Sequence, residues 1–128
     1  MTTLKGRILV VDDDPFVLEM LTILLEEEGH TVDKAENGRE ALAKYSGATG
    51  TALIISDMNM PEMDGLELTR EIRKVNPHIP IIILTASGEL SCTLQAMECG
   101  ANDYLVKDEN IMDVIADTVG RAIKSGAS

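Results

Sequence analysis

The 128-residue chain is short of basic residues, aromatic rings, cysteines and long apolar runs, and each shortage removes a class of function. Eleven Lys and Arg face 22 Asp and Glu, a formal net charge of -11. Nucleic acids and anionic lipid surfaces are bound by basic patches, so this balance excludes both as direct ligands. There is no Trp, and the only rings are Phe16, Tyr45 and Tyr104; a core has to come from Ile, Leu, Val, Met and Ala. The longest apolar run, Ile79 to Leu84, is interrupted by Pro80, far below the ~20 residues of a bilayer span. Met1 to Arg7 lacks the apolar segment of a secretory signal. The expectation is a cytoplasmic protein with no membrane insertion.

Cys92 and Cys99 lie seven apart in a stretch of helical pattern. That spacing puts them on one face about two turns apart, too far for a disulfide, and neither CxxC nor a nearby His completes a zinc site. They read as small residues at or near a core.

What is present is alternation. Short β-branched runs are separated five times by segments of 10 to 15 residues with helical period, the pattern of βαβ units and a parallel sheet. Strands are expected over Arg7–Val11, Thr31–Ala35, Ala52–Ser56, Ile79–Leu84 and Asp103–Val106. The first, third and fourth are almost continuously apolar, as central strands covered on both faces require. Thr31-Val32-Asp33 alternates and suits an edge.

Helix starts are equally marked. Asp14-Pro15 supplies a cap and a first-turn proline for a helix to Glu28, stopped by Gly29. Asn37-Gly-Arg-Glu40 and Asp64-Gly-Leu-Glu67 have capping-box spacing and open helices over 38–46 and 65–75. A fourth helix near Glu89–Cys99 ends at Gly100. A fifth follows Asp108, with Ile111, Ile115, Val119 and Ala122 in one stripe. Five such units in this length make one doubly wound three-layer sandwich.

The chemistry-bearing residues share one topological address. Asp12, Asp13 and Asp14 follow the first strand, Asp57 ends the third, Thr85 the fourth and Lys107 the fifth. In open parallel sheets ligands bind outside the carboxyl ends of the strands. Asp14 before Pro15 is most simply a helix cap. Asp12 and Asp13 lie upstream of that cap, and Asp57 precedes a helix capped seven residues later by Asp64, so these three are candidate site residues. Two carboxylates 4 Å apart repel by about 4 kcal/mol at an effective dielectric of 20, so a cluster of three calls for a cation. One Lys supplies one charge; an all-oxygen donor set with free positions suits Mg2+ (or Mn2+) beside phosphate oxygens. In such a site Asp57 would be the nucleophile toward phosphorus, Lys107 and the metal would offset charge, and Thr85 would hydrogen-bond the phosphoryl oxygen.

With these residues in place, the chain resembles the receiver domain of two-component response regulators from about Lys5 to Ile123. The matching motifs are Ile8-Leu-Val-Val-Asp-Asp-Asp-Pro15, Ile54-Ile-Ser-Asp57-Met-Asn-Met-Pro61 with Met63-Asp-Gly65, Ile83-Leu-Thr85-Ala86, and Gly100-Ala-Asn-Asp-Tyr104-Leu-Val-Lys107. The resemblance implies a flavodoxin-like (βα)5 fold with strand order 2-1-3-4-5, known for chemotaxis members of the family, and a single receiver domain over 1–128 with no output domain. It implies that Asp57 is the phosphoacceptor, fed by a phosphohistidine of a sensor histidine kinase or histidine phosphotransfer protein. It further implies that Asp12, Asp13, Asp57 and the backbone carbonyl of Asn59 hold the metal. Thr85, Lys107 and Tyr104 become the switch hydroxyl, phosphate-pairing lysine and aromatic switch, although Tyr104 also reads as a ring packed on a neighbouring helix. Asn59 and Ser87 would border the path of the hydrolytic water. The fourth helix, fifth strand and fifth helix would form the output face toward a downstream target or output domain, and the face through which two copies could pair.

The chain departs from the family in carrying Asp108 where Pro usually follows the lysine. A non-proline cis bond costs about 3 kcal/mol, so a trans 107–108 bond is expected, with Asp108 capping the last helix. His30 and His78 read as turn residues, and Glu26-Glu27-Glu28 as a solvated helix end. The first helix has more apolar residues than one stripe holds, Phe16 among them, and the surplus is expected to be exposed as a docking face for a kinase helix pair. Two rival readings remain at this point. A haloacid-dehalogenase-like phosphatase would use Asp12 and Asp14, and a flavin-binding protein would need a Ser/Thr/Gly-rich loop where three carboxylates stand.

Overall fold

A computed structural model describes residues 6–47, 50–60, 62–86 and 90–127. Strands β1 (Arg7–Val11), β2 (Thr31–Ala35), β3 (Thr51–Asp57), β4 (Ile81–Thr85) and β5 (Asp103–Val106) alternate with helices α1 (Pro15–Glu27), α2 (Gly38–Gly47), α3 (Gly65–Val75), α4 (Leu90–Glu98) and α5 (Ile111–Ala127). The strands form one parallel sheet in the order β2-β1-β3-β4-β5, as expected.

Because side chains alternate along a strand, each central strand feeds two cores. Leu9, Val11, Ile54, Ile81 and Ile83 pack with Ala41 of α2, Leu68 and Ile72 of α3, and Ala96 of α4. Ile8, Val10, Leu53, Ile55, Ile82 and Leu84 pack with Leu18, Leu21 and Leu25 of α1 and Ile115, Val119 and Ile123 of α5. Helices therefore cover both faces, and the apolar runs of β1, β3 and β4 are buried throughout apart from the strand starts at Arg7, Thr51 and Ala52.

Local chemistry fixes the helix ends. The Asp14 carboxylate accepts from Phe16 N, and Asp64 accepts from Glu67 N. Asn37 Oδ1 accepts from Glu40 N at 2.7 Å, the capping contact expected of that box. Beyond β5, Asp108 Oδ1 accepts from Asn110 N and the Asp108 carbonyl from Ile111 N. Asp108 thus caps a turn leading into α5, whose first helical residue is Ile111, slightly later than its sequence position suggests. No cis peptide bond occurs among the described residues.

Three expectations shift. β3 is longer than its apolar segment, because Asp57 pairs with Leu84 across the sheet. β4 starts at Ile81 rather than Ile79, since Pro80 has no N–H to contribute to a ladder. His30 is more than a turn residue: it is buried, and its Nδ1 accepts from Gly6 N at 3.1 Å. His78 is exposed in its turn. Cys99 is a free, buried cysteine, whereas the side chain of Cys92 lies outside the described residues. No helix among the described residues is long and apolar enough to cross a membrane.

Two glycines give opposite expectations. A Cβ on Gly65 would lie 2.3 Å from the Asp57 carbonyl oxygen, while one on Gly120 in α5 meets nothing within 4 Å. Gly65→Ala is expected to cost about 1–3 kcal/mol by overpacking, and Gly120→Ala to gain about 0.5–1 kcal/mol from helix propensity and reduced unfolded-state freedom, both read by urea denaturation. On the edge pair, Arg7 Nε and Nη2 donate to Asp33 at 2.6 and 3.1 Å, holding the Asp33 carboxyl below its usual range. Its contribution is present above the unfolded pKa and lost as pH falls through the folded one. The melting temperatures of wild type and Asp33→Asn should therefore differ at neutral pH and converge in strong acid.

Candidate functional site

Strand direction gathers the site. All five strands run the same way, so Asp12, Asp57, Thr85 and Lys107, which end or directly follow β1, β3, β4 and β5, emerge on one edge of the sheet. Asp12 and Asp57 are buried, Asp13 is exposed, and one carboxylate oxygen from each lies within 4.8 Å of the others. Lys107 Nζ stands 2.6 Å from Asp12 Oδ2 and 3.0 Å from Asp57 Oδ1.

Each position is held from behind. The Asp12 N–H donates to the Ala35 carbonyl at 3.1 Å, and Asp12 Oδ1 accepts from Asp14 N at 2.9 Å. Asp12 therefore also shapes the turn before α1, a local role its sequence position did not reveal. After Asp57, the Met58 N–H donates to the Leu84 carbonyl at 2.8 Å and the Met58 carbonyl accepts from Gly65 N at 3.0 Å. The Lys107 N–H donates to the Thr85 carbonyl at 2.8 Å, which fixes where the lysine stem departs.

Gly65 and Gly38 are positioning residues; the sequence motifs contain both, but sequence reasoning assigned neither a role. The absence of a Cβ lets the start of α3 close on the Asp57 carbonyl, and lets Gly38 N donate to the Met63 carbonyl at 3.1 Å. Their signal was available: in both cases a glycine follows a capping Asn or Asp, where any small helix former would otherwise serve.

Electrostatics follow from this crowding. Burial pushes the Asp57 carboxyl up, the Asp12 and Asp13 charges push it further, and Lys107 only partly opposes them. Burial pulls the Lys107 ammonium down, but hydrogen bonding and attraction to Asp12 and Asp57 outweigh it and hold its pKa above the ordinary value. Apart from its ion pair with Lys107, the buried Asp12 Oδ2 has no hydrogen-bond partner among the described residues. An acceptor so placed, beside two further carboxylates and one compensating ammonium, fits a hard divalent cation.

The remaining expected residues are distributed less tightly. Thr85 is buried, next to Val106 in register. Tyr104 pairs with Ile83, is half-buried and packs on the core beneath α2, α3 and α4. Asn59 is exposed two residues after Asp57, and Ser87 lies outside the described residues. Asp14 spends its carboxylate on the α1 cap, which removes it as the acid of a haloacid-dehalogenase-like pair. On α1, Phe16 is 70% exposed and Ile23 50%, as the apolar surplus predicted.

Fold and site together define a doubly wound α/β domain with an acidic, lysine-bridged crevice at the carboxyl edge of its sheet. Residues 8–118 match the family described as the response regulator receiver domain, and the chain belongs to that family. It is 42% identical over 113 residues to the transcriptional regulatory protein ResD of Bacillus subtilis, covering 88% of this chain and 46% of that protein. The chain thus spans less than half the length of this relative. Among solved structures, the response regulator TrrA of Thermotoga maritima, in complex with Mg2+ and BeF, is 41% identical with a TM-score of 0.82, covering 91% of this chain and 98% of that one. A CheY-like receiver from Methanospirillum hungatei is 28% identical with a TM-score of 0.89, covering 97% and 98%. The phosphatase and flavoprotein readings give way to this family.

Removing one partner of a buried pair leaves the other charge stranded. Lys107→Met is expected to lower stability by about 3 kcal/mol in EDTA, while Asp57→Asn raises it by relieving repulsion. Parallel urea titrations check both, and a stabilised Lys107→Met protein would contradict the arrangement.

Proposed function

We propose that the chain is a phosphorylation-switched receiver in which Asp57 accepts a phosphoryl group from a phosphohistidine of a sensor histidine kinase or histidine phosphotransfer protein. The observation that carries this reading is the buried Asp57 carboxylate, 3.0 Å from Lys107 Nζ and beside Asp12 and Asp13. An Asp57 oxygen attacks phosphorus, the donor's P–N bond breaks with its electron pair passing to the imidazole, and a mixed anhydride forms on Asp57. Lys107, already within ion-pair distance of Asp57, pairs with the arriving phosphoryl oxygens. The Thr85 hydroxyl donates to one of them.

Asp12, Asp13, Asp57 and the backbone carbonyl of Asn59 are the residues that would hold Mg2+, and the Mg2+–BeF complex of the Thermotoga relative supports that ion; Mn2+ suits the same oxygen donors. The metal, when bound, offsets negative charge on the phosphoryl oxygens. Tyr104 reports the modified state on the output face formed by α4, β5 and α5, where two copies or a downstream target would meet. Asn59 and Ser87 tune the approach of the hydrolytic water. Receiver domains are signalling domains rather than turnover enzymes. The finer proposal is one self-phosphorylation and one self-dephosphorylation per cycle, by a single domain over 1–128 acting in the cytoplasm on a protein target or an output domain.

Incubation with acetyl phosphate and Mg2+, followed by intact mass measurement, is expected to give a species heavier by about 80 Da, one phosphoryl group. It should be lost in Asp57→Asn and when EDTA replaces Mg2+. A modified species that survives Asp57→Asn would assign the phosphoryl group elsewhere.

A further inference from the structure

Asn37 is the only asparagine of the chain that precedes a glycine, and that pairing gives its side chain a chemistry beyond capping α2. With no side chain on residue 38 to obstruct it, the main-chain nitrogen of Gly38 can attack the Asn37 side-chain carbonyl carbon and close a five-membered imide. Asn76 cannot react this way, because Pro77 has no N–H. The residues after Asn59, Asn102 and Asn110 all carry side chains that crowd the attack.

In the closed structure both reacting groups are held apart. Gly38 N donates to the Met63 carbonyl at 3.1 Å, and Asn37 Oδ1 accepts from Glu40 N at 2.7 Å. The Asn37 carbonyl accepts from Ala41 N at 3.0 Å, which fixes the peptide that would have to turn. Gly38 is buried, and a Cβ on it would lie 2.4 Å from the Met63 carbonyl oxygen. Protection therefore rests on the contact between the start of α2 and the far end of the β3–α3 connection. That connection carries strain: Glu62, directly before Met63, has a φ of 68°, a conformation costly for a residue with a side chain, so opening releases it. Asp64-Gly65 is a parallel case, with Gly65 N on the Met58 carbonyl at 3.0 Å and Asp64 Oδ1 on Glu67 N at 2.8 Å. Ring closure there would have to expel an oxygen from a carboxylate rather than ammonia from an amide, so Asn37 is the faster of the two.

From these features we infer that Asn37-Gly38 is a self-modification site, a deamidation whose rate is set by how often the Met63 contact opens and one of whose products prevents that contact from re-forming. Gly38 N gives up its proton to water and bonds to Asn37 Cγ; the Cγ–Nδ2 bond breaks and the amide nitrogen leaves as ammonia. Water then opens the imide. Cleavage between Cγ and the Gly38 nitrogen leaves an aspartate at position 37, and cleavage between the main-chain carbonyl carbon and that nitrogen leaves an isoaspartate. One water enters, one ammonia leaves, and nothing is oxidised or reduced. Aspartate caps a helix as well as asparagine does. Isoaspartate routes the chain through Cγ, which adds a methylene between residues 37 and 38 and carries Gly38 N away from the Met63 carbonyl. The connection that begins directly after Asp57 then loses its tie to α2.

The test incubates the full chain in mildly alkaline buffer, native and in denaturing guanidinium, and follows residue 37 by peptide mass mapping, with enzymatic methylation counting isoaspartate. Conversion is expected to be fastest in the denaturant. In the native state Met63→Ala should convert about tenfold faster than wild type, because truncation removes the packing that keeps the contact closed. Glu62→Asn should convert more slowly, since asparagine tolerates the left-handed conformation; either variant suffices if the other does not fold. Equal rates in native and denatured wild type, or an unchanged rate in a folded variant, would overturn the gate. So would a native rate that rises with sub-denaturing guanidinium as steeply as global unfolding does. No conversion of residue 37 in the denaturant would overturn the site. The isoaspartyl form, separated chromatographically, is expected to lose hydrogen-exchange protection at the Gly38 N–H, which Asn37→Asp keeps. Loss in both would assign the effect to the added charge and overturn the main-chain account, as would protection retained in the isoaspartyl form. Because no phosphoryl group is involved, failure here leaves phosphorylation at Asp57 untouched, and failure of acetyl phosphate labelling leaves the deamidation standing.

Discussion

The bridge that Lys107 makes between Asp12 and Asp57 is the interaction on which the carboxyl edge depends. Two buried carboxylates with a third at their side could not share that volume without a counter-charge. The ammonium supplies it without filling the acidic pocket, because it arrives from β5, the far side of β4 from Asp57 and Asp12. The scaffold serves this geometry at several points. The Thr85 carbonyl sets where the lysine leaves its strand, the Ala35 carbonyl holds the main chain of Asp12, and Gly65 lets α3 close behind Asp57. A doubly wound sheet is well suited to the task, since it delivers strand ends from distant parts of the sequence to one edge.

The fold was legible wherever a local rule and the tertiary environment agreed. Continuous apolar runs marked β1, β3 and β4 because those strands are covered on both faces, and Asp14, Asn37 and Asp64 marked helix starts because their side chains satisfy first-turn N–H groups. Legibility ended where a partner distant in sequence decided the outcome. Asp57 extends β3 only because Leu84 stands opposite it, and His30 became a buried acceptor only because the Gly6 N–H points at it. No periodicity in either segment contains that information.

The site shows the same division. Three carboxylates and a lysine at strand ends announced themselves by type and position, since neither a cap nor a core explains them. Their supporting glycines did not, because the reason for Gly65 is a carbonyl oxygen eight residues away in sequence. Asp108 lies between these cases. Its side chain behaves as a cap, as expected, yet the helix proper waits until Ile111 while an intervening turn completes itself.

The division of each central strand between two cores has a consequence for heredity. Inserting or deleting one codon within Ile8–Val11 or Ile81–Leu84 would exchange the residues facing α1 and α5 with those facing α2, α3 and α4. It would also displace the aspartate or threonine that follows at the carboxyl edge of the sheet. Point substitutions among Ile, Leu and Val leave that parity intact. Variation in such strands is therefore expected to proceed by exchange of side chains, with changes in length confined to the connections at the opposite edge of the sheet.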